Sequence, residues 1–259
     1  MENLIAREAI IADFISSVFD DIEVGKAMFV SLSARAKYLN PEERNLYSLN
    51  HNEMFHRRWF DPEYRDHLKA GITVPKLPTD VLVERVIDYI QSVRIMGGVY
   101  LEDYRDKHGT PLPVSATTVY VNINPSSFRK AAFVLQRDIL DMMEKGEGYE
   151  RIQSKLNTAM QKSRSRRVWT DIDIDADHAP EEIIHFVRKR LPFPVIIKSH
   201  SGYHVMVKNE LMKLYKVNLG EVVDLMTATF SDHSEIGINK NAMVPLPGTF
   251  QGGVEVKLL

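Results

Sequence analysis

The chain has 259 residues, 44% of them hydrophobic and 26% charged, enough apolar material for one large domain or a core with a smaller appendage, without covalent staples. It has no cysteine, which excludes disulfides, cysteine zinc sites, iron–sulfur clusters and thiol catalysis. The 33 basic and 35 acidic residues leave a net charge of −2, which argues against coating nucleic acid through global charge and leaves a local basic groove open. Glu2, Arg7 and Glu8 interrupt the first apolar residues and no later apolar run reaches membrane length. The expectation is therefore an intracellular protein, cytoplasmic or nucleoid-associated, with no membrane partner.

From residue 1 to 95 the spacing predicts helix. Apolar residues recur every three or four positions in IAREAIIADFISSVF, and Asn40-Pro41-Glu42-Glu43 has the composition of a helix start with proline just inside it. LPTDVLVERVIDYIQSVR predicts a further helix capped by Thr79 or Asp80, with Val81, Val83, Val86, Ile87, Tyr89 and Ile90 on its buried stripe. The pattern then changes. TTVYVNIN alternates as a strand does, and Pro125-Ser126-Ser127 opens a helix over FRKAAFVLQRDILDMM. A helix over 147–163, a strand at VWTDIDID, a helix from Pro180 to about 190, a hairpin of PVIIKS and YHVMVK, a helix over 210–229 and closing strands complete the order. The expected fold is α+β with a mixed sheet, divided into an N-terminal helical region (1–95) and a second unit (96–259).

Chemistry concentrates in VWTDIDIDAD. Alternation along a strand sends Ile172 and Ile174 to one face and Asp171 and Asp173 to the other, where the two carboxylates stand roughly 6–7 Å apart. At an effective dielectric of 20 they repel by about 2.5 kcal/mol, so removing either would relieve the metal-free fold. A hard divalent cation reverses the sign, and Mg²⁺ or Mn²⁺ bridging carboxylates to substrate phosphates is the chemistry such a strand suits. Asp175 and Asp177 read instead as caps for the helix entered at Pro180.

Some 30 residues on, Ser199-His200-Ser201-Gly202-Tyr203 joins two apolar arms, with Gly202 suited to a positive φ. Lys198, Ser199, Ser201, the amides around Gly202 and the imidazole of His204 offer donors to an anion such as a triphosphate, while His200 faces solvent. Lys162, Arg164, Arg166 and Arg167 form a basic run with no acidic residue among them. That run suits a nucleic-acid backbone or a nucleotide phosphate as well as it suits a solvated helix end. Arg188, Lys189 and Arg190 read as a helix end.

In their order these motifs resemble the archaeo-eukaryotic primase superfamily, the primase-polymerases, over roughly residues 95–259. VWTDIDIDAD is similar to the family's first motif, a strand ending in two acids, with Asp171 and Asp173 at the metal positions. Ser201-Gly202-Tyr203-His204 is similar to its second, with His204 at the nucleotide phosphates and Lys198 and Ser201 beside it. The third motif is another acid, for which Asp232 is the choice and Glu235 the reserve; Pro247-Gly248-Thr249 reproduces a turn that often follows it.

The resemblance implies a catalytic core made of an RRM-like half and an α/β module, and two Mg²⁺ or Mn²⁺ ions. It also implies template-directed joining of nucleoside triphosphates to a 3′-hydroxyl on single-stranded or primed DNA, with any helicase a separate protein. The cysteines of the zinc knuckle found in many relatives are absent, and residues 1–95 match nothing in the family. A D-x-D glycosyltransferase and a non-catalytic single-strand-binding replication module are the alternatives.

Overall fold

The computed structural model describes residues 4–19, 22, 25–46, 53–60, 79–95, 113–164, 168–175, 178–230, 235–239 and 242–259. Among the described residues, eight α-helices stand with two antiparallel sheets, an α+β fold.

The first sheet is built around β1 (Lys26–Ala34), between β2 (Glu53–Phe60) and β3 (Thr117–Ser127). Strands β8 (Met243–Pro245) and β9 (Phe250–Gln251) add to β3, and β10 (Val254–Glu255) pairs with β9. The stretch expected to be wholly helical thus contributes two strands, one of them central. Strands from both sides of residue 95 share this sheet, so the boundary at 95 does not separate two packing units. Alternation in β1 is masked because its second face carries Ser31 and Ser33, small polar residues that are as deeply buried as the apolar set. Met28, Val30 and Leu32 pack with Val119, Val121 and Ile123 of β3 under α1 (Glu8–Phe19) and α3 (Thr79–Ile95). In α3 the buried stripe takes Leu82 with Val86, Tyr89 and Ile90, and each such side chain removed from water stabilises the fold by about 2 kcal/mol.

The second sheet has the order β11 (Lys257–Leu258), β5 (Val195–Lys198), β6 (Tyr203–Lys208), β4 (Trp169–Asp175) and β7 (Glu235–Ile238). A mixed sheet is expected from the strand–helix–strand run, but the crossover helix α6 (Pro180–Arg190) skips one position. β6 fills the gap between β4 and β5 and pairs antiparallel with both. One face of this sheet, with Ile172, Ile174, Ile196 and Val205, buries against α6, α7 (Asn209–Leu214) and α8 (Leu219–Thr229). The helix expected over 210–229 is two, because Lys216 adopts φ +53° and Asn218 restarts the helix by accepting from the Gly220 amide at 3.1 Å. On the other face Trp169, Ile197 and Met206 join the first core, and the Trp169 indole donates to the Val18 carbonyl at 3.1 Å.

The remaining helices start as their sequences require. Asn40 and Glu43 form a reciprocal capping box for α2 (Pro41–Leu46). Ser127, the last residue of β3, caps α4 (Phe128–Glu144), against which α5 (Ile152–Lys162) packs.

The Pro247-Gly248-Thr249 turn joins the carboxy-terminal strands to α1. The Gly248 carbonyl accepts from the amides of Ala6 and Arg7 at 2.8 and 3.0 Å. Gly248 sits at φ +82°, and a Cβ there would lie 2.5 Å from the Arg7 carbonyl oxygen. Gly248→Ala is therefore expected to lower the unfolding free energy by about 1–3 kcal/mol in urea denaturation. An unchanged midpoint would show that this turn does not anchor α1.

Candidate active site

Register brings the sequence motifs together. Asp171, Asp173 and Asp175 project from one face of β4, and Asp173 pairs directly with His204 of β6. The Asp171 side chain is completely buried and that of Asp173 is 43% exposed. His204 Nδ1 lies 3.1 Å from Asp171 Oδ2 and 3.6 Å from Asp173 Oδ1. The same Asp171 oxygen accepts from Asn239 Nδ2 at 2.8 Å, and the Asn239 amide donates to the Asp171 carbonyl at 2.9 Å.

Electrostatics inside this group differ from the expectation of two bare, repelling acids. Burial opposes the charge on His204, but Asp171, with Asp173 and Asp175 behind it, outweighs that and raises the imidazole pKa above its usual value. Burial raises the Asp173 pKa, and the opposing pull of His204 does not cancel it. When protonated, an imidazole between two carboxylates neutralises much of their repulsion from within. Removing Asp171 thus strips a buried histidine of its partner, and the expected relief on its deletion is reversed in sign.

Around this group opens a cleft of about 430 Å³ between the two sheets. Asp173, Asp175, His204, Ser199 and Ser201 line it from the second sheet; Ser31, Ser33, Arg35, Tyr120 and Asn122 line it from the first. Lys37 reaches Ser201 Oγ at 3.4 Å, and Ser201 donates to Asp175 Oδ1 at 3.2 Å. Arg35 donates to the Tyr120 hydroxyl at 2.8 Å, which lies 3.1 Å from that of Tyr38; Gln251 donates to Tyr38 at 2.6 Å and accepts from the His200 amide at 2.9 Å.

Six buried side-chain polar atoms have no hydrogen-bond partner among the described residues: Ser31 Oγ, Ser33 Oγ, Arg35 Nε, Trp59 Nε1, Thr118 Oγ1 and Asp171 Oδ1. Four of these residues line the cleft, and Asp171 is bonded to a fifth cleft residue, His204. Folded proteins rarely leave such groups unpaired, and four of the six belong to residues on the first-sheet wall of the cleft.

The other expected site residues fall as follows. Gly202 is essential by close approach and not by positive φ: a Cβ would lie 1.9 Å from the Ile174 carbonyl oxygen. Ser199 donates its hydroxyl to the Gly202 carbonyl at 3.1 Å and its amide to the same oxygen at 2.8 Å. Lys198 does not line the cleft. It pairs with Tyr203, one register step from His204, and its ammonium sits 4.1 Å from the Tyr203 ring centroid. Asp175 is no helix cap, since α6 starts behind Ala179 without a side-chain cap, and it lines the cleft instead. Glu235 pairs with Asp175 at the sheet edge and is exposed. Arg164 lines the cleft and Lys162 does not; His200 is exposed. Asp177, Arg166, Arg167 and Asp232 lie outside the described residues.

Sequence reasoning missed Ser31, Ser33, Arg35, Lys37, Tyr120, Asn122, Asn239 and Gln251. The polar alternation Ser31, Ser33, Arg35 within an apolar run was the available signal for the first three.

No family model, curated protein or solved structure matches the chain. Among the described residues no helix is long and apolar enough to cross a membrane.

Asp171→Ala is expected to cost about 3 kcal/mol or more, as breaking a buried pair does. The raised pKa values of His204 and Asp173 also fix a sign. Both groups hold their protons more tightly when folded, so their contribution is complete below their ordinary pKa values, about 6.5 and 3.9. It is lost as pH rises through the folded-state values. In chelator, the stability difference between wild type and Asp171→Asn is expected to shrink from pH 5 to pH 9 in urea titrations, and a difference that widened would contradict the ion pair.

Proposed function

We propose that the chain is a template-directed nucleotidyltransferase of the primase-polymerase type, joining nucleoside triphosphates to a 3′-hydroxyl on a DNA template. One observation carries this reading: two strand carboxylates lie within 3.6 Å of one imidazole nitrogen of a histidine picked out from a separate hairpin segment, beside a wall of unpartnered buried donors. Acids on one wall and donors on the other suit a metal-bound polyphosphate.

The donor set fits the implied ions. Asp171 Oδ1 is an orphaned oxygen and Asp173 is partly exposed beside it, which gives two carboxylates and no soft ligand. Among the described residues no group of three or more acidic or histidine side chains is assembled for a metal. Mg²⁺ commonly uses one or two carboxylates and completes its shell with water and substrate phosphates. Asp171 and Asp173 would hold the ions, with Asp232 or Glu235 as the third acid. When bound, such ions lower the pKa of an attacking hydroxyl and neutralise charge on the departing pyrophosphate.

The protein's own groups do the rest. Asp171 and Asn239 fix the His204 ring by engaging Nδ1 and the carboxylate behind it, which leaves the other ring nitrogen for a phosphate oxygen. Ser201 and Lys37 meet at the mouth of the same wall, and Lys37 there takes the role expected of Lys198. Ser31, Ser33 and Arg35 supply donors from the facing sheet, and their fixed positions align the substrate without reorganisation at the moment of reaction.

Labelled-nucleotide incorporation on primed and unprimed templates, with and without Mn²⁺, tests the assignment. Asp173→Asn is the informative variant because that side chain is partly exposed. Incorporation is expected to fall by about 10³-fold or more, the scale of losing an electrostatic stabiliser, with the melting temperature nearly unchanged. Near-normal synthesis by this variant would remove the assignment. Metal-dependent breakdown of a nucleotide sugar would instead indicate a glycosyltransferase, and oligonucleotide binding without turnover a binding module.

The facing wall gives a second expectation. Ser31→Ala removes a buried hydroxyl without a partner, so stability should be unchanged or rise by about 1 kcal/mol while the KM for the nucleoside triphosphate increases. A drop in stability would show that the hydroxyl has a structural partner.

A further inference from the structure

On the far side of the second sheet, α6 ends in Arg188, Lys189 and Arg190, and the chain turns through Leu191-Pro192-Phe193-Pro194 into β5. These residues, with Tyr215 and Val217 from the α7–α8 turn, line a groove of about 740 Å³ that shares no residue with the cleft. Four residues of extended chain, five steps spanning about 16 Å, separate Pro194 at this groove from Ser199 at the cleft.

Three features of the groove are unusual together. Phe193 is 72% exposed and Tyr215 56% exposed, with ring centroids 6.3 Å apart and planes at 63°, so neither aromatic is spent on the core. Phe193 is held at φ +47° between two prolines, a stiff and unfavourable conformation for a residue that packs against little. No acidic residue lines the groove, and Arg188 and Lys189 have no ion-pair partner among the described residues. Lys213 and Lys216 stand on either side of Tyr215 in the chain. Cations at a helix end ordinarily answer the helix dipole, and that accounts for Arg190, which donates to the Phe186 carbonyl at 3.2 Å and lies 3.8 Å above the Phe186 ring. It does not account for two bare aromatic rings beside Arg188 and Lys189.

We infer that this groove is a binding platform for single-stranded nucleic acid, with bases stacking on Phe193 and Tyr215 and phosphates meeting Arg188 and Lys189. The partner must be anionic to match the groove's unopposed positive charge, and it must present unpaired flat faces to use rigid rings; an unpaired strand has both properties. A duplex keeps its bases stacked inside, and an acidic peptide has no use for the exposed rings. The platform lies outside the cleft and does not depend on the polymerase reading.

The test is fluorescence anisotropy with the full chain in chelator, using labelled 20-mers of oligothymidine and oligouridine, a duplex of the same length, and polyglutamate. Phe193→Ala and Tyr215→Ala are each expected to weaken binding of the single strand by about 5- to 100-fold. The exposure of both rings keeps the variants folded, which a thermal melt checks. Arg188→Ala with Lys189→Ala should lower the log–log salt slope by about 1.4, at 0.7 for each phosphate contact on a single strand. Tighter binding of thymidine or of uridine strands assigns DNA or RNA as the ligand. Asp173→Asn leaves this binding intact, so loss of incorporation and loss of binding separate the two sites. Affinity for both single strands unmoved by Phe193→Ala and Tyr215→Ala would overturn the platform. So would binding of polyglutamate or duplex with equal affinity and equal sensitivity to those changes.

Discussion

A carboxylate buried without solvent organises the centre of this molecule. Asp171 is wholly enclosed, and its side chain binds the imidazole of β6 and the amide of Asn239 just beyond β7. A buried charge is tolerated only when it is paired and hydrogen-bonded, so β6, β4 and the edge strand β7 are tied at one point in one register. Slipping that register by one residue would turn His204 and the aspartates into the apolar core and expose Ile172 and Ile174. The apolar face and the acidic face therefore specify each other.

The cleft exists because this acidic face meets a polar face from the other sheet. Ser31 and Ser33 stand on β1 opposite the residues that pack under α1 and α3, with Arg35 just past its end; pairing sets Ser31 against Tyr120 and Ser33 against Thr118 of β3, and Tyr120 and Asn122 line the cleft with them. An ordinary sheet packed face to face would fill such positions with apolar side chains. Here five unpartnered polar atoms are kept in or beside the gap, each at a free-energy penalty in the absence of a ligand. The apparatus around them is stiff: Tyr38, Tyr120, Arg35 and Gln251 form a connected set of hydrogen bonds along one edge, and burial together with the neighbouring Tyr120 hydroxyl raises the Tyr38 pKa, holding the phenol neutral.

The amino-terminal region shows why some elements were harder to read than others. The α1 and α3 helices carry long apolar stripes, and helical spacing announces them. β1 does not, because a central strand facing a polar cleft mixes Ser with Val and Leu, and β2 reads as the charged run HRRW. In the same way Lys198 and Lys37 are equivalent as text, both lysines near a serine. Strand parity sends Lys198 onto Tyr203 and leaves Lys37, 164 residues away from Ser201, to enter the site.

What the amino-acid order settled alone is local and periodic: the parity of Ile172 and Ile174 against Asp171 and Asp173, the hairpin that returns His204 beside that strand, and the helix starts at Pro41, Phe128 and Pro180. These follow from two- and 3.6-residue repeats and from cap chemistry, which act over a few neighbours. Tertiary structure decided the rest. It inserted β6 between β4 and β5, set the serines of β1 across from the acids, put the His204 imidazole against two carboxylates that had been expected to stand bare, and left Phe193 and Tyr215 bare on the opposite side. Those outcomes depend on which distant segments share a sheet and on how burial shifts a proton. No short-range pattern encodes a contact between residues more than a hundred positions apart.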